Sequence, residues 1–387
     1  MTTSKSLWTK NFIILFICNA LLFMSYNMQV PVLPLYGKKL GMDAAQIGLF
    51  VGALMFAGLI VRFFSGRLLK YFSKKLLLIV GVSLYLLTSI GYPLLTPFAF
   101  LIVLRVINGL GHGLATTYFA TAAADELPMN HLGQGMGMFG VSSMLTASLA
   151  PLIAIPLVEH FSFNAFFIFC VIILAIATML LIFFSPSSTQ VNVHQAQSLW
   201  AGFDRNFIPH DILMMFLGII TSGVLSYITL FTQKVGIAGV AWFFFASSVV
   251  GVLMRPSMGR LLDQRGPFFT MIPSIICMII SLILIILVNS TVMLIIAGIF
   301  FGAADGAIFP TLQSWVLKDA PIDRRESITG VFLNCYDLGM GLGSYLMGII
   351  IDWTSYTVMF SVLTGLTVIY LLISVTFKYR LKTFSNL

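Results

Sequence analysis

The chain has 387 residues, of which 59% are hydrophobic and only 9% are charged, and its mean hydropathy is +1.02. Soluble proteins carry roughly 25% charged residues, and a soluble fold of this size leaves too much surface facing water to hide so many apolar side chains. The composition therefore excludes a soluble protein and indicates one whose outer surface faces lipid.

The cationic residues are spread along the chain, and their excess gives a formal net charge of +8. They lie in short segments between apolar runs, as in a membrane protein, and they do not form the basic stripe of a nucleic-acid-binding protein. We therefore expect no nucleic-acid partner. The cysteines stand singly within apolar runs, which predicts packing positions and no metal site; they are Cys18, Cys170, Cys277 and Cys335.

Twelve apolar runs are long enough for membrane helices, because about 20 residues are needed to cross roughly 30 Å of hydrocarbon. In chain order they lie near residues 12–36, 44–66, 75–95, 99–122, 136–158, 163–184, 209–232, 237–260, 268–289, 291–315, 327–351 and 356–377. A polar stretch separates the sixth run from the seventh. We therefore predict an N-terminal six-helix bundle over residues 1–184, a cytoplasmic linker over 185–208 and a C-terminal six-helix bundle over 209–387.

Lys and Arg residues set the orientation of these spans. We assign seventeen of them, Arg62 and Arg255 included, to loops on the side of the N-terminus, and only Lys38, Lys39 and Lys234 to loops on the opposite side. Because positively charged loops stay in the cytoplasm, both termini are predicted to be cytoplasmic. The chain is thus predicted to be a multi-pass protein of the inner (cytoplasmic) membrane, in contact with membrane lipid and monomeric.

An internal repeat relates the two predicted bundles. Residues 62–70 (RFFSGRLLK) reappear as 255–263 (RPSMGRLLD), an offset of 193 residues (255 minus 62). The same offset relates Gly109 to Gly302, His112 to Asp305, Gly113 to Gly306, Gly137 to Gly330 and Phe139 to Phe332. The chain is therefore predicted to be a duplication, and transporters built from such repeats bind their substrate near the bilayer midplane at the repeat interface.

The two copies of this segment resemble the loop signature of the major facilitator superfamily, a Gly-x-Leu-x-Asp-x-x-Gly-basic pattern. Residues 259–266 (GRLLDQRG) match the pattern well. The first copy departs from it, because Lys70 stands where Asp is usual and Ser73 where Gly is usual. The resemblance implies gating loops formed by Gly66, Arg67, Lys70, Gly259, Arg260 and Asp263.

Further segments resemble the twelve-span drug:proton antiporter branch of this superfamily. Residues 105–111 (RVINGLG) are similar to the family's second motif, whose intramembrane Arg105 is tied to proton coupling. The start 30–36 (VPVLPLY) and a degenerate antiporter motif in span 5 add to the resemblance. It implies an all-α polytopic membrane protein with the major facilitator fold, in which twelve transmembrane helices form two pseudo-symmetric six-helix bundles.

Ionisable groups within spans are candidates for function, because each costs at least about 2.5 kcal/mol to insert. We predict proton-coupling roles for Arg105, His112, Asp305 and Asp337. In the family, spans 1 and 7 line the central cavity. The predicted substrate contacts are Asn19, Tyr26, Asn27, Gln29, Asn108, Thr221, Ser222, Tyr227 and Asn334. The alternative for each of these polar residues is an interhelical hydrogen bond, and for Arg105 a structural one.

The predicted function is proton-coupled export of a small organic solute by an antiporter. Cationic groups in the N-terminal half (Arg105, His112) and acids in the C-terminal half (Asp305, Asp337) would suit a zwitterionic metabolite such as an opine-type metallophore. The alternatives are a multidrug efflux pump for lipophilic cations, a nutrient uptake symporter and a lipid flippase. No P-loop and no H-E-x-x-H motif occurs, so we expect neither ATP, a cofactor nor enzymatic activity.

The asymmetry of the two signature copies generates a first prediction. Asp263 keeps the family pattern and Lys70 does not, so Asp263→Asn should impair transport more than Lys70→Asn. Transport rates in proteoliposomes, normalised to reconstituted protein, provide the measurement. Equal losses in the two variants would mean that both segments contribute alike.

Overall fold

The computed structural model describes residues 8–128, 131–185, 204–321 and 324–385. Over these residues the chain forms twelve α-helices and no strand. The helices are α1 (Lys10–Lys39), α2 (Ala44–Leu68), α3 (Lys74–Gly91), α4 (Phe98–Asp125), α5 (Leu132–His160), α6 (Phe163–Ile182), α7 (Ile208–Lys234), α8 (Val240–Arg265), α9 (Pro267–Ile286), α10 (Thr291–Asp319), α11 (Arg325–Trp353) and α12 (Tyr356–Ser385).

Each helix corresponds to one span predicted from the sequence. Ten helices in the described part of the chain are long and apolar enough to cross a membrane. Helix α8 contains the apolar stretch Val240–Arg255. Helix α11 carries Asn334, Asp337 and several glycines along its length, which lowers its hydropathy.

Serine residues mark where several helices begin. The hydroxyl oxygens of Ser73, Ser162 and Ser290 accept hydrogen bonds from backbone N–H groups three residues further on, at the starts of α3, α6 and α10. Serine is a favoured N-cap residue because its side chain satisfies one of the free N–H groups of the first turn. The apolar runs are therefore delimited by ordinary capping chemistry.

The helices divide between two compact units. The first contains Met1–Tyr36 and Ala53–Gln197, and the second contains Gly37–Gly52 and Ser198–Leu387. Helix α2 thus begins in the second unit and continues in the first. The segment Gly37–Gly52, which the sequence analysis assigns to the N-terminal bundle, packs within the second unit.

In the first unit, glycines allow α4 to lie directly against its neighbours. A Cβ added to Gly109 would lie 2.4 Å from the carbonyl oxygen of Leu54 in α2, and one added to Gly113 would lie 2.9 Å from the Cα of Gly58. Gly81 of α3 faces the backbone of α4 at 2.9 Å in the same way. These positions lack room for a side chain, so the helix backbones touch.

In the second unit, the same contact recurs between α8 and α10. A Cβ on Gly302 would lie 2.0 Å from the carbonyl oxygen of Ser247, and one on Gly306 would lie 2.5 Å from the Cα of Gly251. Each of these residues is 193 positions after its counterpart in the first unit. The repeat found in the sequence is therefore also a repeat of helix contacts, which we call the glycine seam.

The glycine seam generates a prediction about stability. Gly302→Ala should lower the free energy of unfolding by about 1–3 kcal/mol, because the added methyl group meets backbone that must shift. Gly365 of α12 is a matched control, since nothing lies within 4 Å of a Cβ added there. Gly365→Ala should be neutral or stabilising by up to about 1 kcal/mol, because alanine is the better helix former. The measurement is thermal unfolding in detergent, followed by tryptophan fluorescence. Equal melting temperatures of the two variants would contradict the role of the glycine seam in stability.

Candidate functional site

Arg105 lies in a buried hydrogen-bond network of the first unit. Its side chain is 3% exposed, and its Nη1 donates to the Oε1 of Gln29 (3.2 Å) and to the Oδ1 of Asn108 (3.1 Å). The Nδ2 of Asn108 in turn donates to the Oγ1 of Thr88 (2.7 Å). The structure thus joins three predicted site residues, and they connect α1, α3 and α4.

His112 of α4 is enclosed by aromatic side chains. Tyr26 stacks on its ring at 4.7 Å between centroids, and Phe23 and Tyr85 lie at 5.9 Å. The imidazole is 6% exposed, and its Nδ1 has no hydrogen-bond partner in the described part of the chain. The positive charge of Arg62 acts on this ring. Two predicted site residues, Tyr26 and His112, are therefore in direct contact.

Asp305 occupies the corresponding position of α10 in the second unit. Its Oδ1 accepts a hydrogen bond from the Oγ1 of Thr221 in α7 (3.1 Å), and the positive charge of Arg255 in α8 acts on its carboxylate. Helical side chains lean toward the N-terminus of their own helix. Arg255 follows Gly251 of the glycine seam by one turn of α8, on the same face of that helix.

The sequence analysis assigned Arg62 and Arg255 to cytoplasmic loops, and the structure corrects this assignment. Both residues lie within helices, α2 and α8, and each acts on the ionisable residue of the neighbouring helix. The pairs are related by the repeat: Arg62 with His112 in the first unit, and Arg255 with Asp305 in the second. The 193-residue offset relates Arg62 to Arg255 and His112 to Asp305, and this relation was the sequence signal from which the two pairs could have been predicted.

Several predicted substrate contacts hydrogen-bond within the protein. The Nδ2 of Asn19 donates to the Oγ of Ser142 (2.7 Å), and that of Asn27 donates to the Oγ1 of Thr146 (3.1 Å), which joins α1 to α5. The hydroxyl of Ser222 donates to the carbonyl of Ile219 in its own helix (3.2 Å). Tyr227 is bonded through its hydroxyl to backbone carbonyl groups.

The remaining predicted residues lie on α11 and near the ends of α2 and α8. Asp337 is buried in α11 at 8% exposure, and Asn334 is half-buried one turn earlier. Arg67, Lys70 and Arg260 are exposed. The surroundings of three further gating predictions lie outside the described residues; these are Gly66, Gly259 and Asp263.

The signature segments are more helical than the predicted loops. In the first copy, residues 62–70, helix α2 ends at Leu68. The second copy, residues 255–263, lies entirely within α8, which continues to Arg265. The expectation of a loop after span 8 was therefore wrong for residues 259–265. An Asp at the fifth position of the pattern does not break a helix, so the sequence gave no stop signal before Gly266, where φ is +82°.

Asp211 is a buried acid that the sequence analysis missed. It lies in the first turn of α7 at 9% exposure, and its Oδ1 has no hydrogen-bond partner among the described residues. Its charge acts on Cys335 of α11. Its place at the polar end of a span made it resemble an ordinary loop residue, although a carboxylate beginning an apolar run was a usable signal.

A cavity of about 350 Å³ lies in the second unit, at the start of α7 and the end of α10. The ring of His210 packs against Trp315 there, at 4.4 Å between centroids, and Arg324 forms an ion pair with Asp204 (3.0 Å). Its lining contains none of the predicted site residues; it is formed by Asp204, Asn206, Phe207, Pro209, His210, Leu213, Trp315, Asp319 and Pro321.

A duplicated helical membrane protein with ionisable side chains inside its spans has the design of a secondary transporter. The sequence profile of the Major Facilitator Superfamily matches residues 15–344 of the chain. The chain therefore belongs to this superfamily, and it is a transporter and not an enzyme. The fold class predicted from the sequence, twelve helices in two pseudo-symmetric six-helix bundles, is confirmed.

Curated relatives are similar over most of their length. The chain is 22% identical to the staphylopine export protein of Staphylococcus aureus, over 92% of this chain and 93% of that one. It is 24% identical to the multidrug resistance protein MdtG of Escherichia fergusonii, over 81% of each. The fold matches that of a bacterial homologue of the human lysosomal transporter Spinster, with a TM-score of 0.80, 15% identity and coverage of 97% and 98%.

The Arg105 network generates a prediction that separates a structural role from a substrate contact. Arg105→Gln should lower the free energy of unfolding by about 2–3 kcal/mol, because a hydrogen bond to a charged group contributes about 1.5–3 kcal/mol. Arg105→Lys should restore only part of it, since an ammonium group cannot hold two acceptors in the same fork. The exposed Arg67→Gln is the control. Unchanged thermal stability together with lost transport would instead favour a substrate contact.

Proposed function

We propose that the protein is a proton-coupled antiporter that exports a small organic solute across the cytoplasmic membrane. The observation that carries the proposal is the Asp305 carboxylate, which lies inside a membrane-spanning helix with Thr221 as hydrogen-bond donor and Arg255 as its cationic neighbour. Arg255 and Thr221 both stabilise the ionised carboxylate. Proton binding removes that charge, so it changes the forces between α7, α8 and α10.

The glycine seam makes this arrangement sensitive to protonation. Asp305 lies between Gly302 and Gly306, the two residues whose backbone contacts α8. When the carboxylate is neutral, Arg255 loses its counter-charge and must find another partner, water or an anionic group of the solute. A change of charge at one residue is thereby converted into a changed contact between two helices.

The direction of transport is proposed from the relatives and from the sequence. The two curated relatives described above carry names that refer to export and to multidrug resistance. The antiporter-like pattern of span 5 agrees with them. The excess of Lys and Arg in loops on the side of the termini favours cytoplasmic termini, so that solute enters from the cytoplasm and protons enter from outside. Protons, the solute and membrane lipid are the proposed partners, and the protein acts as a monomer.

The proposed solute carries both charges. In the first unit, Arg62 and Arg105 supply positive charges inside the spans; Arg62 acts on His112, and Arg105 donates hydrogen bonds to Gln29 and Asn108. In the second unit, Asp305, Asp337 and Asp211 supply carboxylates. A zwitterionic metabolite, for example an opine-type metallophore, would match this separation of charge.

The aromatic side chains around His112 favour a second candidate, the efflux of lipophilic cations. Phe23, Tyr26 and Tyr85 form a cluster of the kind that binds organic cations through their ring faces. Uptake symport and lipid flipping are the remaining alternatives on the same fold. They differ from export in the direction of movement and in the solute, so one vesicle assay separates them.

The test uses everted membrane vesicles with an imposed pH gradient and ethidium as a cationic probe. Asp305→Asn should reduce proton-driven uptake into these vesicles to the level of vesicles without the protein, whereas Asp305→Glu should retain part of it. Asp337→Asn serves as the comparison for the second predicted coupling acid. Wild-type rates in Asp305→Asn, at equal protein level, would eliminate Asp305 as the coupling group.

Metabolite profiling addresses the solute independently of any probe. Cells deleted for the gene should accumulate one zwitterionic compound, and restoring the wild-type chain should reverse the accumulation. Depletion of a compound in the deletion cells would instead indicate uptake, and a changed lipid distribution would indicate a flippase.

A further inference from the structure

The first turns of α2 are fastened to α11 within the second unit. The Asp352 carboxylate, one residue before the end of α11, accepts hydrogen bonds from the backbone N–H groups of Ala44 (2.8 Å) and Ala45 (2.7 Å). These N–H groups belong to the first turn of α2, where no carbonyl of the same helix can satisfy them. Asp352 therefore caps a helix other than its own.

Tyr227 of α7 holds the same turn from another direction. Its hydroxyl lies 2.9 Å from the carbonyl oxygen of Ala44 and 2.7 Å from that of Ser344. Its single proton can be donated to either oxygen. The ring is fully buried, so this hydroxyl bridges the backbones of α2 and α11 in a place without water.

Glycines continue this contact along both helices. A Cβ added to Gly348 would lie 2.3 Å from the carbonyl oxygen of Ala44, one on Gly48 would lie 2.2 Å from that of Ser344, and one on Gly52 would lie 2.6 Å from that of Gly341. The two helices are therefore in backbone contact at successive turns of α2, from Ala44 to Gly52. Small residues at such a contact let two helix backbones lie directly against each other.

The position of Asp352 has no explanation within α11 itself. A carboxylate near the C-terminus of a helix is disfavoured by the helix dipole, whereas one at an N-terminus is favoured. Asp352 is therefore destabilising at the C-terminus of α11 and stabilising at the N-terminus of α2. A residue that is unfavourable in its own helix indicates a role outside it.

We propose that Asp352 and Tyr227 form a latch, the α2 latch, that closes α2 on α11 at the end of the second unit opposite the chain termini, and that this latch opens and closes during transport. The assignment of that end to the outside of the cell rests on the proposed function. Opening exchanges two backbone-to-carboxylate hydrogen bonds for water, which is available because Asp352 is exposed. Closing restores them without rearranging any side-chain packing.

The test measures opening directly, with a cysteine in place of Ser344. Ser344 is 1% exposed when α2 and α11 are in contact. The background is the chain with its four cysteines replaced by alanine. A membrane-impermeant sulfonated maleimide is added to intact cells, and labelling is normalised to that after denaturation in SDS. The latch predicts slow but complete labelling of the native protein, well below its melting temperature.

Variants of the latch should change the rate of labelling. Asp352→Asn and Tyr227→Phe should each raise it by about tenfold, as expected for the loss of one charge-assisted or buried hydrogen bond. Asp352→Glu should stay near the reference rate. The matched control is Asp43→Asn, because the Asp43 carboxylate accepts only from the N–H of Gln46 in its own helix (2.7 Å). A chain that keeps only Cys170, which is fully buried in the first unit, should remain unlabelled throughout.

Three results would overturn the latch: no labelling of native protein, unchanged rates in both latch variants, or an equal rise in Asp43→Asn. Size-exclusion chromatography checks that each variant is folded, and Tyr227→Phe retains the comparison if Asp352→Asn does not fold. The assay requires no solute and no proton gradient, so it stands if the proposed function fails. Labelling from everted vesicles instead of intact cells would support the latch and reverse the proposed orientation.

Discussion

In hydrocarbon there is no water to satisfy a polar group, so every polar side chain within a span must find its partner in the protein. Most polar residues of this chain obey that constraint in pairs. Asn19 with Ser142 and Asn27 with Thr146 fasten α1 to α5, and Arg105 is satisfied by neighbours on two helices. The informative residues are those for which the pairing is charged or incomplete, namely His112, Asp211 and Asp305.

Close helix contact and ionisable chemistry are linked in this structure. Glycines bring α2 against α4 and α8 against α10, and these contacts leave no space for side chains between the backbones. Polar groups can therefore project only at the margins of each contact, where an arginine from one helix meets an ionisable residue from the next. The helix packing thus determines which charged side chains of neighbouring helices can interact.

Much of the fold followed from the sequence alone, because hydrophobic length and the 193-residue repeat are properties of local composition. Eleven helices were located within about five residues of their observed bounds, and α12 continues eight residues beyond its predicted end, to Ser385. The roles of polar residues were harder to predict, since an asparagine that binds solute and one that bonds to serine have the same local sequence. Asn19 and Asn27 illustrate this ambiguity, and so does Tyr227, whose hydroxyl contacts two carbonyl groups distant in the chain.

Two further limits were geometric. Arg62 and Arg255 resembled loop cations because they lie near the ends of apolar runs, yet both lie within helices, and their charges act on His112 and Asp305 of the neighbouring helices. The segment Gly37–Gly52 could not be assigned to the second unit, because its partners on α7 and α11 lie almost 200 or 300 residues away in sequence. The hydrophobicity of a span predicts that the span crosses the membrane, but only the folded structure shows which helices it packs against.

The exchange of His112 for Asp305 between the two halves has an evolutionary consequence. A gene duplication first yields two identical halves, each with an arginine on one helix and one variable position on the neighbouring helix. Because the backbone contacts around that position are made by glycines and do not depend on its side chain, the residue can drift without loss of fold. The two halves thus carry different ionisable residues at the same position of the repeat, histidine in the first and aspartate in the second.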